Sequence, residues 1–162
     1  KEVGWGISEG IARSLADAGV AGLDVAGAGG TSWSEVERHR MSDPVMRRVA
    51  ATFRDWGIPT AESVVACRRG FPDGLLIASG GLRSGLDAAK CLALGADAAA
   101  LAAPFLRAAV ESESALADEL RRIVTVPRVG MLCVGAASIA ELRNTPHLAR
   151  VHGAPAPSPG SQ

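Results

Sequence analysis

Short apolar runs alternate along the chain with longer segments in which apolar positions recur at helical spacing. Three of the runs, 20–25, 75–78 and 98–101, are apolar on both faces and predict short buried strands. Strands of this kind are typical of parallel sheets whose two faces are covered by helices. The pattern therefore predicts an α/β fold built from strand–helix units.

Capping signals place helices around these strands. Residues that suit the start of a helix precede four of the helical segments, at Ser8, Asp43, Pro59 and Ser84. Residues 27–40 are interpreted as a glycine-rich turn followed by a polar segment. Residues 106–125 predict one amphipathic helix, which two further short helices follow.

Two architectures fit this alternation, a doubly wound open sheet and part of a (β/α)8 TIM barrel. A barrel needs eight strands and about 250 residues, whereas only three strands and the possible end of another at Lys1–Glu2 are visible. An open three-stranded parallel sheet has long unpaired edges. Part of a barrel is therefore favoured for residues 1–150, and the family resemblance described below narrows this expectation to the C-terminal half, about strands 5–8. The Pro-, Gly- and Ser-rich residues 151–162 are predicted to form a disordered tail.

Charge and composition exclude several functions. Seventeen basic and seventeen acidic side chains cancel, and aromatic residues make up only 4%, so neither a nucleic-acid partner nor an anionic membrane surface is expected. No apolar run reaches the ~18 residues that span a bilayer. The three cysteines are widely spaced and form no CxxC motif, which favours a reducing, cytoplasmic location over a zinc or disulfide framework.

Small residues follow all three predicted strands, in the sequences GAGGTS, SGGLRSG and AAPF. Ligands of α/β folds bind at the carboxyl ends of strands. Glycine allows close approach to a ligand, and the helix start after Arg83 offers N–H groups to an anion. Tight-turn geometry is the alternative explanation for Gly80–Gly81 and for Gly29–Gly30. Two glycine-rich strand ends in successive units nevertheless favour a phosphate site.

Other polar residues leave alternatives open. Lys1 is either a solvated charge or a strand-exit lysine that stabilises negative charge on a bound ring. Asp24 is either a buried side chain satisfied by neighbouring backbone or part of the site wall. His39, His147 and His152 have no metal-binding spacing and are predicted to lie on the surface, and Cys91 is predicted to be buried.

Four blocks in this order, KEVGWGIS, DVAGAGGTSW, DWGIPT and ASGGLRSGLDAAKCLALGAD with APFL, resemble type 2 isopentenyl-diphosphate isomerases. The resemblance covers Lys1 to about Arg150, roughly the C-terminal half of a family member. It implies a TIM barrel that interconverts isopentenyl and dimethylallyl diphosphate with reduced FMN and Mg2+, NADPH being the flavin reductant. A small-molecule diphosphate substrate and a homo-oligomeric full-length protein are also implied.

The resemblance assigns FMN contacts to matching positions in three loops and at the chain start. These cofactor-binding positions are Lys1, Thr31, Gly81, Leu82, Arg83, Ala102 and Ala103. No catalytic side chain is expected within these residues, since the flavin itself is the expected acid and base. Ala26 departs from the serine or glycine that is common before GAGG.

The family's diphosphate-binding residues, its substrate-side Gln and its Mg2+-ligating Glu belong to earlier strands. No metal or substrate ligand is therefore expected here, and the isolated chain is expected to be inactive. Two alternatives stay open: half of another FMN-dependent barrel, such as a hydroxyacid oxidase-like oxidoreductase, and an inactive truncated remnant.

Overall fold

The structure is a computed structural model that describes residues 1–143 and 145–150. Helices and strands follow one another in an α/β order. In chain order they are α1 (Glu9–Asp17), β1 (Gly22–Asp24), α2 (Trp33–Arg40), α3 (Pro44–Thr52), α4 (Thr60–Gly70), β2 (Leu75–Ala78), α5 (Gly85–Ala93), β3 (Ala98–Ala99), α6 (Ala103–Glu111), α7 (Glu113–Cys133) and α8 (Ile139–Arg143). The predicted tail, 151–162, lies outside the described residues.

The three strands form one parallel sheet in the order β1-β2-β3. Asp24 of β1 stands opposite Ile77 of β2, which in turn stands opposite Ala98 of β3. The start of the chain runs beside β1, since the N–H of Glu2 donates to the carbonyl of Asp24 at 3.0 Å. All three strands therefore end at one edge, where the loops that follow them meet.

The hydrophobic core lies between this sheet and its covering helices. Leu76 and Ala78 of the central strand are fully buried, as are Val25 after β1 and Val64 of α4. Helix α1 packs on α4, and α5 packs on α7. The opposite face of β2 is less covered, since Leu75 is 51% exposed and Ile77 is only partly buried.

Helix starts follow the predicted capping chemistry. The Ser8 side chain accepts the Ile11 N–H at the start of α1, and Asp43 accepts the N–H groups of Val45 and Met46 at α3. Ser84 begins α5 with its side chain bound to the Asp87 N–H. These caps satisfy N–H groups that have no partner inside the helix.

One helix was not predicted, and one prediction for the helices was wrong. The polar segment after the first glycine-rich turn, to which no element was assigned, contains α2, whose Glu35 and Arg38 form a two-bond ion pair on its surface. The long helix predicted over 106–125 is broken at Ser112, which is fully extended and caps α7 through the Ala115 N–H. Helix α7 then continues through Pro127 to Cys133, over the segment assigned to a separate short helix.

The amino end of the sheet is held by an ion network opposite the strand-end loops. The Asp97 carboxylate accepts from Arg68 at 2.7 Å, from Arg143 and from the Leu76 N–H at 2.7 Å. The Arg68 guanidinium also donates to the carbonyls of Phe71, Pro72, Gly74 and Gly95. Burial raises the pKa of Asp97, but hydrogen bonds from Leu76, Arg68 and Arg143 outweigh it and hold that pKa below its ordinary value.

No helix within the described residues is long and apolar enough to cross a membrane.

Candidate functional site

A cavity of about 530 Å³ opens at the carboxyl end of the sheet. Its wall includes all seven positions predicted to contact a cofactor, namely Lys1, Thr31, Gly81, Leu82, Arg83, Ala102 and Ala103. These residues come from the chain start and from the loops after β1, β2 and β3. The structure thus brings together residues that lie up to about a hundred positions apart in the sequence, at the edge where ligands of parallel sheets bind.

The glycines of two neighbouring loops lie back to back beside this cavity. A Cβ atom on Gly80 would lie 2.1 Å from the Gly27 carbonyl oxygen, and one on Gly81 would lie 2.2 Å from that of Gly29. Both Gly80 (φ 103°) and Gly81 (φ 74°) are in the left-handed region, which favours glycine. Packing between the two loops therefore accounts for the double glycine, in addition to any approach to a ligand.

Thr60, at the start of α4, joins the same two loops and was not identified from the sequence. Its hydroxyl donates to the Gly80 carbonyl at 2.6 Å. A Cβ atom on Gly27, in the loop after β1, would lie 2.3 Å from the Cα atom of Thr60. Thr60 is buried, so this hydrogen bond fixes the position of the loop after β2 relative to the start of α4.

An ion pair between the chain start and the end of β1 forms part of the cavity wall. The Lys1 ammonium lies 2.8 Å from a carboxylate oxygen of Asp24, and the other carboxylate oxygen accepts from the Ser79 hydroxyl and from the Ala26 N–H. Burial raises the pKa of Asp24, but hydrogen bonds from Lys1, Ser79 and Ala26 outweigh this effect and hold that pKa below its ordinary value. Both alternatives for Asp24 hold, because neighbouring backbone satisfies it and it lies on the site wall.

Ala26 has a strained backbone at this point. Its φ of 32° is the one positive value at a non-glycine residue within residues 1–143 and 145–150. Left-handed backbone costs a residue with a Cβ atom about 1–2 kcal/mol. The residue that departs from the family pattern therefore occupies a position where glycine relieves strain, although the turn itself still forms.

The N-terminus of α5 carries its own carboxylate cap. The Asp87 carboxylate accepts the N–H groups of Arg83 and Ser84, each at 3.0 Å, and the Ser84 hydroxyl accepts the Asp87 N–H. The N–H groups of Gly85 and Leu86 in the first turn donate to no acceptor among the described residues. The helix start thus already carries a negative charge, which competes with a phosphate for this position.

Donors for an anion remain on both sides of the capped turn. Within the described part of the chain, the N–H groups of Gly81, Leu82, Ala102 and Ala103 donate to no protein acceptor, and α6 has no side-chain cap. The exposed Arg83 side chain has no hydrogen-bond acceptor among the described residues. These donors fit a phosphate group of the kind that FMN carries, since backbone N–H groups and arginine are its usual partners.

Leu82 combines a buried side chain with a backbone N–H at the cavity. The residue is 6% exposed and belongs to the hydrophobic core. Its side chain anchors the loop after β2, while its N–H has no acceptor among the described residues. Of this residue, the backbone rather than the side chain is therefore available to a ligand.

A second cavity of about 490 Å³ adjoins the first on the far side of the Gly29–Thr31 segment. Trp5, Arg54 and Trp56 are part of its wall, and Thr31 borders both cavities. Nothing in the sequence had indicated this hollow, because its wall combines the chain start with the connection between α3 and α4.

His39, His147 and Cys91 are not part of the wall of the first cavity. His39 and His147 are exposed, and His152 lies outside the described residues. Cys91 is 6% exposed, and burial raises its pKa to about 11. Among the residues that the structure describes, no group of three or more His, Cys, Asp or Glu side chains could hold a metal ion.

A parallel sheet with a cavity at its strand ends is typical of α/β ligand-binding proteins, and the sequence comparisons identify the family. The profile of the family described as FMN-dependent dehydrogenase matches residues 7–150. The chain belongs to this family. Its fold is accordingly that of a TIM barrel, of which the described residues supply three parallel strands.

Within the family, the chain is similar to proteins named isopentenyl-diphosphate delta-isomerase. It is 51% identical over 151 residues to one from Nostoc sp., a match that covers 93% of this chain and 43% of the relative. It is 49% identical to one from Stutzerimonas stutzeri, over 88% of this chain and 41% of the relative. The resemblance stated on the motifs is confirmed, and the chain spans about two fifths of the length of these relatives.

A solved structure with a similar fold is the GMP reductase of Trypanosoma brucei in complex with guanosine 5'-triphosphate. The two chains are 30% identical with a TM-score of 0.62, over 85% of this chain and 30% of the reductase. The similar fold therefore also occurs in an enzyme that is named as a reductase.

Proposed function

We propose that these residues are the FMN-binding part of an isopentenyl-diphosphate delta-isomerase, corresponding to about strands 5–8 of its barrel. The complete protein interconverts isopentenyl and dimethylallyl diphosphate. It uses reduced FMN and Mg2+, with NADPH as the flavin reductant. The substrate-binding and Mg2+-ligating residues belong to other strands than the three described.

The observation that carries this proposal is the meeting of all seven assigned positions around one cavity. The identity of about one half to named isomerases supports the reaction. The cavity chemistry supports the cofactor, because unpaired N–H groups and Arg83 suit its phosphate. Neither line of support depends on the other.

The described residues have binding and orienting roles in this proposal. The N–H groups of Gly81, Leu82, Ala102 and Ala103 and the Arg83 side chain hold the phosphate. Lys1 and Thr31, which are part of the cavity wall, contact the rest of the cofactor. When bound, the flavin supplies the acid–base chemistry of the isomerisation. The buried Leu82 side chain and the packed glycine loops keep these groups in place.

A second function, net hydride transfer by an FMN oxidoreductase, is favoured by one observation. The family whose profile matches residues 7–150 is described as FMN-dependent dehydrogenase, a name that denotes hydride transfer. Both functions would hold the FMN phosphate at the same positions, so those positions do not separate them. The reaction itself has to be measured.

The test is an assay of the complete natural protein that contains these residues. With isopentenyl diphosphate, Mg2+, FMN and NADPH as the flavin reductant, the proposal predicts dimethylallyl diphosphate as product. It also predicts no stoichiometric consumption of NADPH. Steady NADPH oxidation coupled to a reduced product, without isomerisation, would establish the oxidoreductase instead. The isolated 162-residue chain is expected to show neither activity.

A further inference from the structure

Lys1 and Asp24 form an isolated pair of opposite charges on the cavity wall. Their side chains meet at 2.8 Å, with 60% of the Lys1 side chain and 14% of the Asp24 side chain exposed. The other partners of the Asp24 carboxylate, Ser79 and Ala26, are neutral donors. The carboxylate therefore offsets the Lys1 charge without a competing cation among the described residues.

The surrounding backbone holds Asp24 firmly in this role. Asp24 ends β1, in register with Ile77 of β2. Ser79 follows β2 directly and is buried, so its hydroxyl reaches the carboxylate from the neighbouring strand. The left-handed Ala26 directs its N–H back to the same oxygen. Backbone strain that persists beside a charged group is typical of functional sites.

From this geometry we infer that Asp24 is a positioning residue that holds the Lys1 ammonium and compensates its charge, and so sets the electron affinity of the flavin. The inference rests on the proposed function, since it requires FMN in this cavity. It adds a residue that the resemblance does not assign to the cofactor.

The physical reason is electrostatic. Reduced FMN carries more negative charge than oxidised FMN, so a nearby positive charge raises its midpoint potential and a negative charge lowers it. Lys1 and Asp24 together are neutral. Loss of either member leaves the charge of the other uncompensated, and the two losses must act in opposite directions.

The experiment measures the midpoint potential of FMN bound to the complete natural protein, by equilibration with a reference dye. Asp24→Asn keeps the hydrogen-bonding shape and should favour the reduced flavin about tenfold, which raises a two-electron potential by about 30 mV. Lys1→Met should lower the potential by a similar amount. The double variant should return close to the unaltered protein, because the two effects cancel.

Asp97→Asn is the matched control. Like Asp24, Asp97 is a carboxylate that accepts from cationic and backbone donors. Its donors are two cationic side chains and one backbone N–H, and it lies at the opposite end of the sheet. This variant should lose stability without a shift in potential. Lys1 is largely exposed, so Lys1→Met tests the inference even where Asp24→Asn fails to fold.

An unchanged or lowered potential in Asp24→Asn, or an unchanged potential in Lys1→Met, would overturn the inference while FMN stays bound. Failure of the unaltered protein to bind FMN would overturn the proposed function, and the inference with it. The two failures are therefore distinguishable in one set of titrations.

Discussion

Gly81 lies so close to Gly29 that the loop after β2 can carry no side chain at their contact. A Cβ atom on Gly81 would lie 2.2 Å from the carbonyl oxygen and 2.3 Å from the carbonyl carbon of Gly29. The residues belong to loops that follow different strands, β2 and β1. The conformation of the loop after β2 is thus fixed by a backbone-to-backbone contact with its neighbour.

Gly81→Ala should therefore destabilise the complete protein by about 3 kcal/mol, because the new Cβ meets backbone and the residue keeps a φ of 74°. Gly10→Ala is the control. Gly10 is helical and has no atom within 4 Å of a Cβ position, so alanine should be neutral or stabilising by up to about 1 kcal/mol. Urea unfolding measures both. Equal stabilities of the two variants would contradict the packing described here.

Arg83→Ala should weaken FMN binding about tenfold and leave the free energy of unfolding without FMN unchanged. A hydrogen bond to a charged group contributes about 1.5–3 kcal/mol, and 1.4 kcal/mol is a factor of ten. The arginine side chain has no acceptor among the described residues, so its removal leaves the loop intact. Fluorescence titration with FMN gives the dissociation constant.

Arg47→Ala, on the exposed surface of α3, provides the matched control for Arg83. It removes the same charge far from the cavity and should leave the FMN dissociation constant unchanged. Equal losses in both variants would show that net charge alone governs binding, and would remove Arg83 from the site.

Asp87→Ala separates the helix cap from the phosphate site. The variant loses the cap on the Arg83 and Ser84 N–H groups and should lower the free energy of unfolding by about 1 kcal/mol. FMN should bind as well as before or more tightly, since a carboxylate beside the phosphate is gone. The same titration measures this effect. A clear loss of FMN affinity at unchanged stability would mean that Asp87 itself contacts the cofactor.

Asp97 should make the fold sensitive to acid. The pKa of Asp97 in the folded protein lies below the ordinary value. The ionised side chain therefore contributes fully to the free energy of unfolding above about pH 4, its pKa in the unfolded chain. This contribution is lost as the pH falls through the pKa of the folded protein. Asp97→Asn should cost about 2 kcal/mol at pH 7, the scale of hydrogen bonds to charged groups. It should also flatten the fall in stability between pH 5 and pH 3, as measured by urea unfolding.

Asp118→Asn is the comparison for this effect. Asp118 pairs with Arg121 on the surface of α7, where both side chains are more than two thirds exposed. Such pairs contribute little, and the pH dependence of unfolding should match that of the unaltered protein. A flattened profile in this variant would argue against a special role for Asp97.

The sequence predicted elements that one local signal determines. The central strand, Leu75–Ala78, agrees in both bounds, because a short apolar run between turn residues leaves few alternatives. The break at Ser112 was missed since amphipathic residues continue on both sides of it, and only the extended backbone of Ser112 separates the helices. The position of the site followed from topology, because strand ends of a parallel sheet meet at one edge.

Tertiary contacts were the part that the sequence could not supply. Thr60 and Gly80 are bonded across 20 positions, and Lys1 and Asp24 across 23, with no periodicity to relate them. The Asp87 cap, in contrast, had a readable signal in the Ser-x-x-Asp spacing of Ser84 and Asp87. That signal predicts a carboxylate at the start of α5, next to the predicted anion site.

The most direct test of the account compares FMN with riboflavin, which lacks the phosphate, as ligands of the complete natural protein. The central claim is that the cavity holds a flavin by a phosphate cradle at Gly81–Arg83 and Ala102–Ala103. The account predicts that FMN binds at least about a hundredfold more tightly, equivalent to two charge-assisted contacts. It also predicts that Arg83→Ala reduces the ratio of the two affinities, because the variant binds FMN more weakly and binds riboflavin as before. Equal dissociation constants for the two flavins would contradict it.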